Sequence, residues 1–176
     1  AQLLEYSDAD AMMSDVARAA RSVDYLLNTT WHRLDFKGKD GLGRILRKPR
    51  TTSLGGGISV AHQEVVIDEL EDLNEDPVVG LRAAAKAAQL GLPLSLDTCA
   101  RLSAILKEGG AQLSNPWPRE ARENLVSLIG AGSAMVDVFE ALDQEEIIFS
   151  WIPEWNSVRS LPQRNVLHRH TVDRHM

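Results

Sequence analysis

Cysteine is almost missing from this 176-residue chain. Cys99 stands alone, which excludes an internal disulfide and suits a reducing cytosol. It falls in a helical pattern with Ala100, Leu102 and Leu106, so it reads as a small core hydrophobe. No partner that would activate it as a nucleophile is visible. A surplus of positive charge is missing too. The formal net charge of -6 argues against a nucleic-acid binder that works through a large positive field. No apolar run approaches the roughly 18 residues that a membrane span needs. No cationic segment followed by an apolar one marks a signal peptide at the N-terminus. Repeats of fixed period and low-complexity tracts are absent as well. What is present is ordinary globular material, with 44% apolar and 25% charged residues, enough for one domain or one domain and the start of another. The chain starts at Ala1 without a methionine and stops at Met176 in a polar, histidine-bearing pattern. Both read as boundaries inside a longer protein.

The periodicity predicts a mainly α fold, an antiparallel cluster of helices with one small β-hairpin near residues 58–67. Residues 8–31 carry the clearest helix, with Ser7 or Asp8 as its cap. Met12, Val16, Ala19, Val23, Leu26 and Thr30 form one apolar stripe that must pack against something, while Arg18, Arg21 and Asp24 occupy the other faces. A basic loop follows over 32–52, where Gly38, Gly41, Gly43 and Pro49 break any helix. The β-branched residues on either side of Ala61 to Glu64 predict the hairpin. Short helices come next. One begins at Asp76-Pro77 and closes at Gly91. Others run from Ser95 to Gly109-Gly110, from Pro116-Trp117-Pro118 to Gly130, and from Ser133 to Leu142, with a last segment between Asp143 and Trp151.

Three stretches invite a chemical reading. The basic residues of 32–50 could grip phosphate through cations and free amides, but they fit neither the Walker spacing nor the dinucleotide fingerprint. The favoured reading is a solvated loop whose charge is balanced by the acids Asp68, Glu69, Glu71, Asp72, Glu75 and Asp76. Those acids lack the spacing and the glycine of a calcium loop, so they read as a solvated face. Asp8 and Asp10 superficially resemble paired nucleotidyltransferase carboxylates, yet they open a helix, where capping explains them. At the C-terminal end, His168, His170 and His175 fall within eight residues. Imidazole is a common metal ligand, but these three span a loop-to-helix transition and need not converge.

Taken in order, Ile152-Pro153-Glu154-Trp155, Pro162-Gln163-Arg164-Asn165 and the run from His168 to His175 resemble a specific junction. It is the point in bacterial PII-protein uridylyltransferase/uridylyl-removing enzymes where a central helical region passes into the HD-type hydrolase domain. Thr171-Val172-Asp173-x-His175 is similar to the opening of that domain. Upstream, Trp31-His32-Arg33, the run from Pro77 to Ala84, Pro116-Trp117-Pro118 and the run from Leu128 to Gly132 resemble actinobacterial members. The resemblance implies a central helical domain over 1–160 and, over 161–176, a junction with the first helix of a truncated HD domain. It implies a cytoplasmic parent in nitrogen regulation that uses UTP and magnesium to uridylylate the PII signal protein, and a divalent metal to remove the group. Carried over, His175 matches the first HD metal ligand, while His168 and Asp173 flank it without an assigned ligand role.

The departures matter. No Gly-Ser motif with a strand-borne Asp-x-Asp is present, and no His-Asp pair. One histidine cannot hold a catalytic ion that usually takes three or more protein ligands. No catalytic residue and no cofactor of its own are therefore expected of this chain. Two alternatives stand beside the helical linker: a non-catalytic module binding PII or another protein through residues 32–50, and a piece of a glutamine-synthetase adenylyltransferase.

Overall fold

A 32-residue helix, α1 (Ala9–Asp40), opens the computed structural model, which describes residues 6–40, 51–163 and 171–174. Asp8 caps it, its Oδ1 accepting the Ala11 amide at 2.8 Å. The helix continues past Trp31, its expected end, and passes through Gly38, so the loop expected over 32–52 is helical as far as Asp40. A single glycine costs an isolated helix interior about 1 kcal/mol, which flanking helical residues can absorb. Residues 41–50, the rest of the expected basic loop, lie outside the described residues.

The hairpin is present and carries a third strand. β1 (Thr52–Gly55), β2 (Ile58–Ala61) and β3 (Glu64–Ile67) form an antiparallel sheet in that order, with Ile58 opposite Ile67 and Val60 opposite Val65. Gly56 and Gly57 turn the first corner at positive φ. His62 and Gln63 turn the second at φ 54° and 63°, the pair of left-handed residues that a tight two-residue hairpin needs. Ile58, Val65 and Ile67 point into the core. The Val65 amide donates to Pro93 O at 2.9 Å and its carbonyl accepts from Ser95 N at 3.0 Å, which ties the sheet to the next loop.

The remaining helices follow their punctuation closely: α2 (Val79–Leu90), α3 (Leu96–Lys107), α4 (Arg119–Ile129), α5 (Ala134–Gln144), and the single turns α6 (Ile148–Trp151) and α7 (Trp155–Val158). α2 starts two residues after Pro77, because Asp76 first turns the chain by accepting the Val78 amide at 3.2 Å. Gly91 ends it at φ 62°. The Ser95 hydroxyl caps α3 by accepting the Thr98 amide at 3.1 Å. α2 is the central element, packing on α4, α5 and β3. Its alanines 83, 84, 85, 87 and 88 are all buried and let its neighbours approach closely. Gly80 is where approach is tightest: an added Cβ would lie 2.8 Å from Leu102 Cδ2 and 2.9 Å from Trp151 Cζ2. Leu81, Leu128, Leu142, Ile147 and Ile148 complete a core with almost no exposed surface. Between Asp143 and Trp151 the helix breaks at Glu146, which has φ 62°, before α6 begins. No single helix is long and apolar enough to cross a membrane among the described residues.

The stripe expected to hold α1 against the body faces the other way. Val16, Val23 and Leu26 are more than half exposed, whereas Arg21, assigned to an outer face, is buried.

Candidate functional site

Where α1 crosses α5, charged groups replace an apolar contact. The Arg21 guanidinium donates from Nε to Glu140 Oε1 and Oε2 at 3.1 and 3.2 Å. Its Nη2 reaches both Glu140 Oε2 and Asp143 Oδ2 at 2.8 Å, and its Nη1 hydrogen-bonds to Asp173 Oδ2. Asp143, with no exposed surface, also accepts Trp155 Nε1 at 2.8 Å and Arg159 Nε at 3.1 Å. Asp173 Oδ2 accepts the Ser160 amide at 2.8 Å. Two guanidinium groups therefore face three carboxylates at one point, drawn from α1, α5, the residues after α7 and the 3-10 turn Val172–Arg174.

Burial of this kind is costly unless each charge is paired and hydrogen-bonded. Burial alone would lower the Arg21 pKa, but the Glu140 hydrogen bond and the charges of Asp143, Glu140 and Asp173 outweigh it and raise the value. Arg21 stays cationic at any working pH. Asp173 Oδ1 is buried without a hydrogen-bond partner, which leaves this aspartate dependent on its other oxygen. Around the charges, Ser14 Oγ donates to Ser160 O at 3.0 Å and Ser22 Oγ to Gln144 Oε1 at 2.8 Å. Phe139 and Trp155 meet edge to face at 4.9 Å, and the Arg159 guanidinium lies 5.1 Å from the centre of the Phe149 ring. The arrangement holds segments together. Each of its carboxylates is engaged by a cation, Asp173 through Oδ2 alone.

The residues singled out from sequence distribute unevenly. His175, the candidate metal ligand, lies outside the described residues, as do His168 and His170. Asp173, given no role, is in the junction. Among the described residues no group of three or more His, Cys, Asp or Glu side chains could hold a metal ion. Of the basic stretch, Arg33 and His32 sit 4.0 Å from Glu64 Oε1 on β3, and its later residues lie outside the described side chains. Burial pushes the Glu64 carboxyl up, with Arg33, His32 and His62 partly opposing. The acids of 68–76 are not matched to that stretch among the described residues. Asp76 pairs with Arg82 at 2.6 Å, and Arg101 hydrogen-bonds to the carbonyls of Asp68 and Glu71. Burial pushes the Cys99 thiol up to about 12, and it is fully enclosed, as a core residue should be.

Arg21 was missed because helical periodicity places polar residues outside by default. Asp143 gave no signal either, since it stands among Glu140, Gln144, Glu145 and Glu146 and reads as one more exposed acid.

Known proteins align with nearly the whole chain. A Streptomyces coelicolor protein named bifunctional uridylyltransferase/uridylyl-removing enzyme is 39% identical over 189 residues, covering 96% of this chain and 21% of that protein. A Mycobacterium tuberculosis protein of the same name is 32% identical over 177 residues, covering 98% and 21%. This stretch is similar to one part of bifunctional uridylyltransferase/uridylyl-removing enzymes. A Corynebacterium glutamicum relative with that name is 27% identical over 172 residues, covering 98% of the chain and 24% of its own length. The chain thus spans about a fifth to a quarter of the length of the uridylyltransferase/uridylyl-removing enzymes it matches. None of these three relatives is an adenylyltransferase. No protein-family model matches the chain, and no solved structure matches it.

Proposed function

We propose that this chain is a helical connecting piece of a bifunctional uridylyltransferase/uridylyl-removing enzyme. It joins a nucleotidyltransferase domain to an HD hydrolase domain in a cytoplasmic protein that modifies PII, and it carries neither activity itself. The observation behind this reading is the buried Arg21 junction, which fastens α1 and α5 to Asp173. Asp173 lies in the phrase that resembles the opening of the HD domain. Five charged groups sharing one buried site form a stiff connection, because each would be left in a low-dielectric interior if the contact opened. Such a connection sets the placement of what it joins and does not leave it to a flexible tether.

The parent would use UTP with magnesium for transfer and a divalent metal for removal. His175 is the one residue proposed as a ligand to that metal. The described residues do not assemble a donor set for either ion, so no chemical step is assigned to them. The test is direct. Purified chain incubated with UTP, magnesium and PII transfers no uridylyl group, and with uridylylated PII and divalent metal it releases none. Turnover in either assay overturns the silent-linker reading. The open reading frame of the parent supplies a second check, since it should encode a His-Asp pair within several dozen residues after Met176.

A further inference from the structure

The face that α1 turns outward is organised for contact. Met13, Ala20, Leu27 and Leu34 recur at seven-residue steps, and Val16 and Val23 fall between them at three-residue offsets. One apolar line therefore runs for about 32 Å along the helix at the usual rise per residue. Met13, Val16, Val23, Leu27 and Leu34 are exposed by 50 to 57%. Leu26 and Trp31 widen the line on its two sides, at 60% and 61% exposure. Meanwhile α1 is held to the body by its opposite face, through Ser14, Arg21, Ser22 and Tyr25. An amphipathic surface helix normally does the reverse. Single exposed hydrophobes need no explanation, but a continuous line of this length marks a contact surface.

We infer that this outward face of α1 is a docking face for a folded helical body supplied by the same, longer polypeptide. The inference rests on the proposed function, which makes the chain part of a larger enzyme. Two observations favour this occupant over a parallel pair of two copies of the chain. The first is the chemistry of the stripe. With Met13, Ala20, Leu27 and Leu34 at the first core position and Val16 and Val23 at the second, leucine and β-branched residues stand opposite to the order that favours a parallel two-stranded coil. Leu26 and Trp31 add breadth beyond the narrow seam such a coil uses, and a broad stripe suits a face covered by several elements at once. The second is length. The chain covers 21% of the Streptomyces and Mycobacterium relatives, so the parent has ample polypeptide to supply that cover.

The experiment uses the full-length enzyme carrying Val23→Cys and, separately, Leu27→Cys, with maleimide labelling read at each position by peptide mass spectrometry. Labelling of the native enzyme is compared with labelling of the same protein unfolded in urea. Buried docking predicts that native labelling is slower by about tenfold or more at both positions, beyond the general difference seen at an exposed reference site. It also predicts that this protection is unchanged over a hundredfold dilution, about the range needed to dissociate a weak dimer. Protection lost on dilution assigns the face to a second copy and overturns the inference. Free labelling at both positions overturns it as well. Uridylyl transfer and removal are measured on the same preparation, which separates the two readings. An active enzyme with a freely labelled face rejects the docking face alone, and a protected face on a protein with neither activity rejects the proposed function alone.

Discussion

Replacing Arg21 with methionine probes the junction most sharply, because it removes the cation and keeps most of the apolar stem. Asp143 has no exposed surface and Asp173 has 2%, so neither carboxylate can recover its lost partner from bulk water. Breaking a buried ion pair on one side costs about 3–5 kcal/mol. Arg159 remains on Asp143 at 3.1 Å, and the Glu140 side chain is 15% exposed, so part of the charge stays compensated. The uncompensated loss falls on Asp173, whose remaining partner among the described residues is the Ser160 amide at 2.8 Å. The expected loss is therefore at the lower end, about 3 kcal/mol. For a domain of this size that corresponds to a fall in Tm of about 6–12 °C. Urea unfolding followed by circular dichroism measures it. The matched control is Arg18→Met, because Arg18 makes an exposed pair with Asp15 and should change stability by about 0.5 kcal/mol or less. Asp173→Asn added to Arg21→Met should cost less than the sum of the two single changes, since the second removes the charge that the first stranded. A loss below about 1 kcal/mol for Arg21→Met, or simple additivity of the pair, refutes the reasoning.

Other outcomes follow from separate parts of the fold. Gly80→Val should destabilise by about 1–3 kcal/mol in the same unfolding assay, because the new side chain must displace Leu102 and Trp151; an unchanged midpoint contradicts that packing. Cys99 should resist alkylation in the native protein at pH 8 and react fully once unfolded, since burial both encloses the thiol and holds its pKa near 12. Rapid native labelling there sinks the assignment as an inert core residue. Ser95→Ala should cost about 1 kcal/mol through loss of the α3 cap, with Ser95→Gly costing less. Glu64→Gln tests the pH sign. The folded pKa of Glu64 is raised, so its ionised form destabilises the fold above that pKa, and the effect disappears below the unfolded value of about 4.3. Glu64→Gln should therefore be more stable than the parent at pH 7, with the gap closing toward acid; a less stable variant at pH 7 reverses the argument.

Element type and order were readable in the sequence, because caps and breakers act locally. Gly91 and Ser95 act within one turn of themselves and mark their helices in any tertiary setting. The β2–β3 corner is harder to read, since His62 and Gln63 adopt positive φ without the glycine or asparagine that announces such a turn. Gly38 shows the opposite difficulty: a residue that disfavours helix is carried along by its neighbours. The orientation of α1 was not readable at all. Periodicity identifies which residues share a face, but which face turns inward depends on partners elsewhere in the chain, here Glu140 and Asp143 more than a hundred residues away. The same limit hid the candidate site. Its residues come from four separated segments, and Asp143, flanked by Glu140, Gln144, Glu145 and Glu146, carries no local mark of burial. His175 carried the sequence-level metal assignment and lies outside the described residues.

The central claim is that the junction around Arg21 places a hydrolase domain relative to the helical body. Uridylyl removal by the full-length enzyme carrying Arg21→Met, assayed at a temperature where circular dichroism shows it fully folded, tests this most directly. The account predicts a fall in kcat for removal of about tenfold or more, equivalent to about 1.4 kcal/mol in the barrier, while Arg18→Met keeps the parental rate. Full removal activity in a folded Arg21→Met enzyme would contradict it.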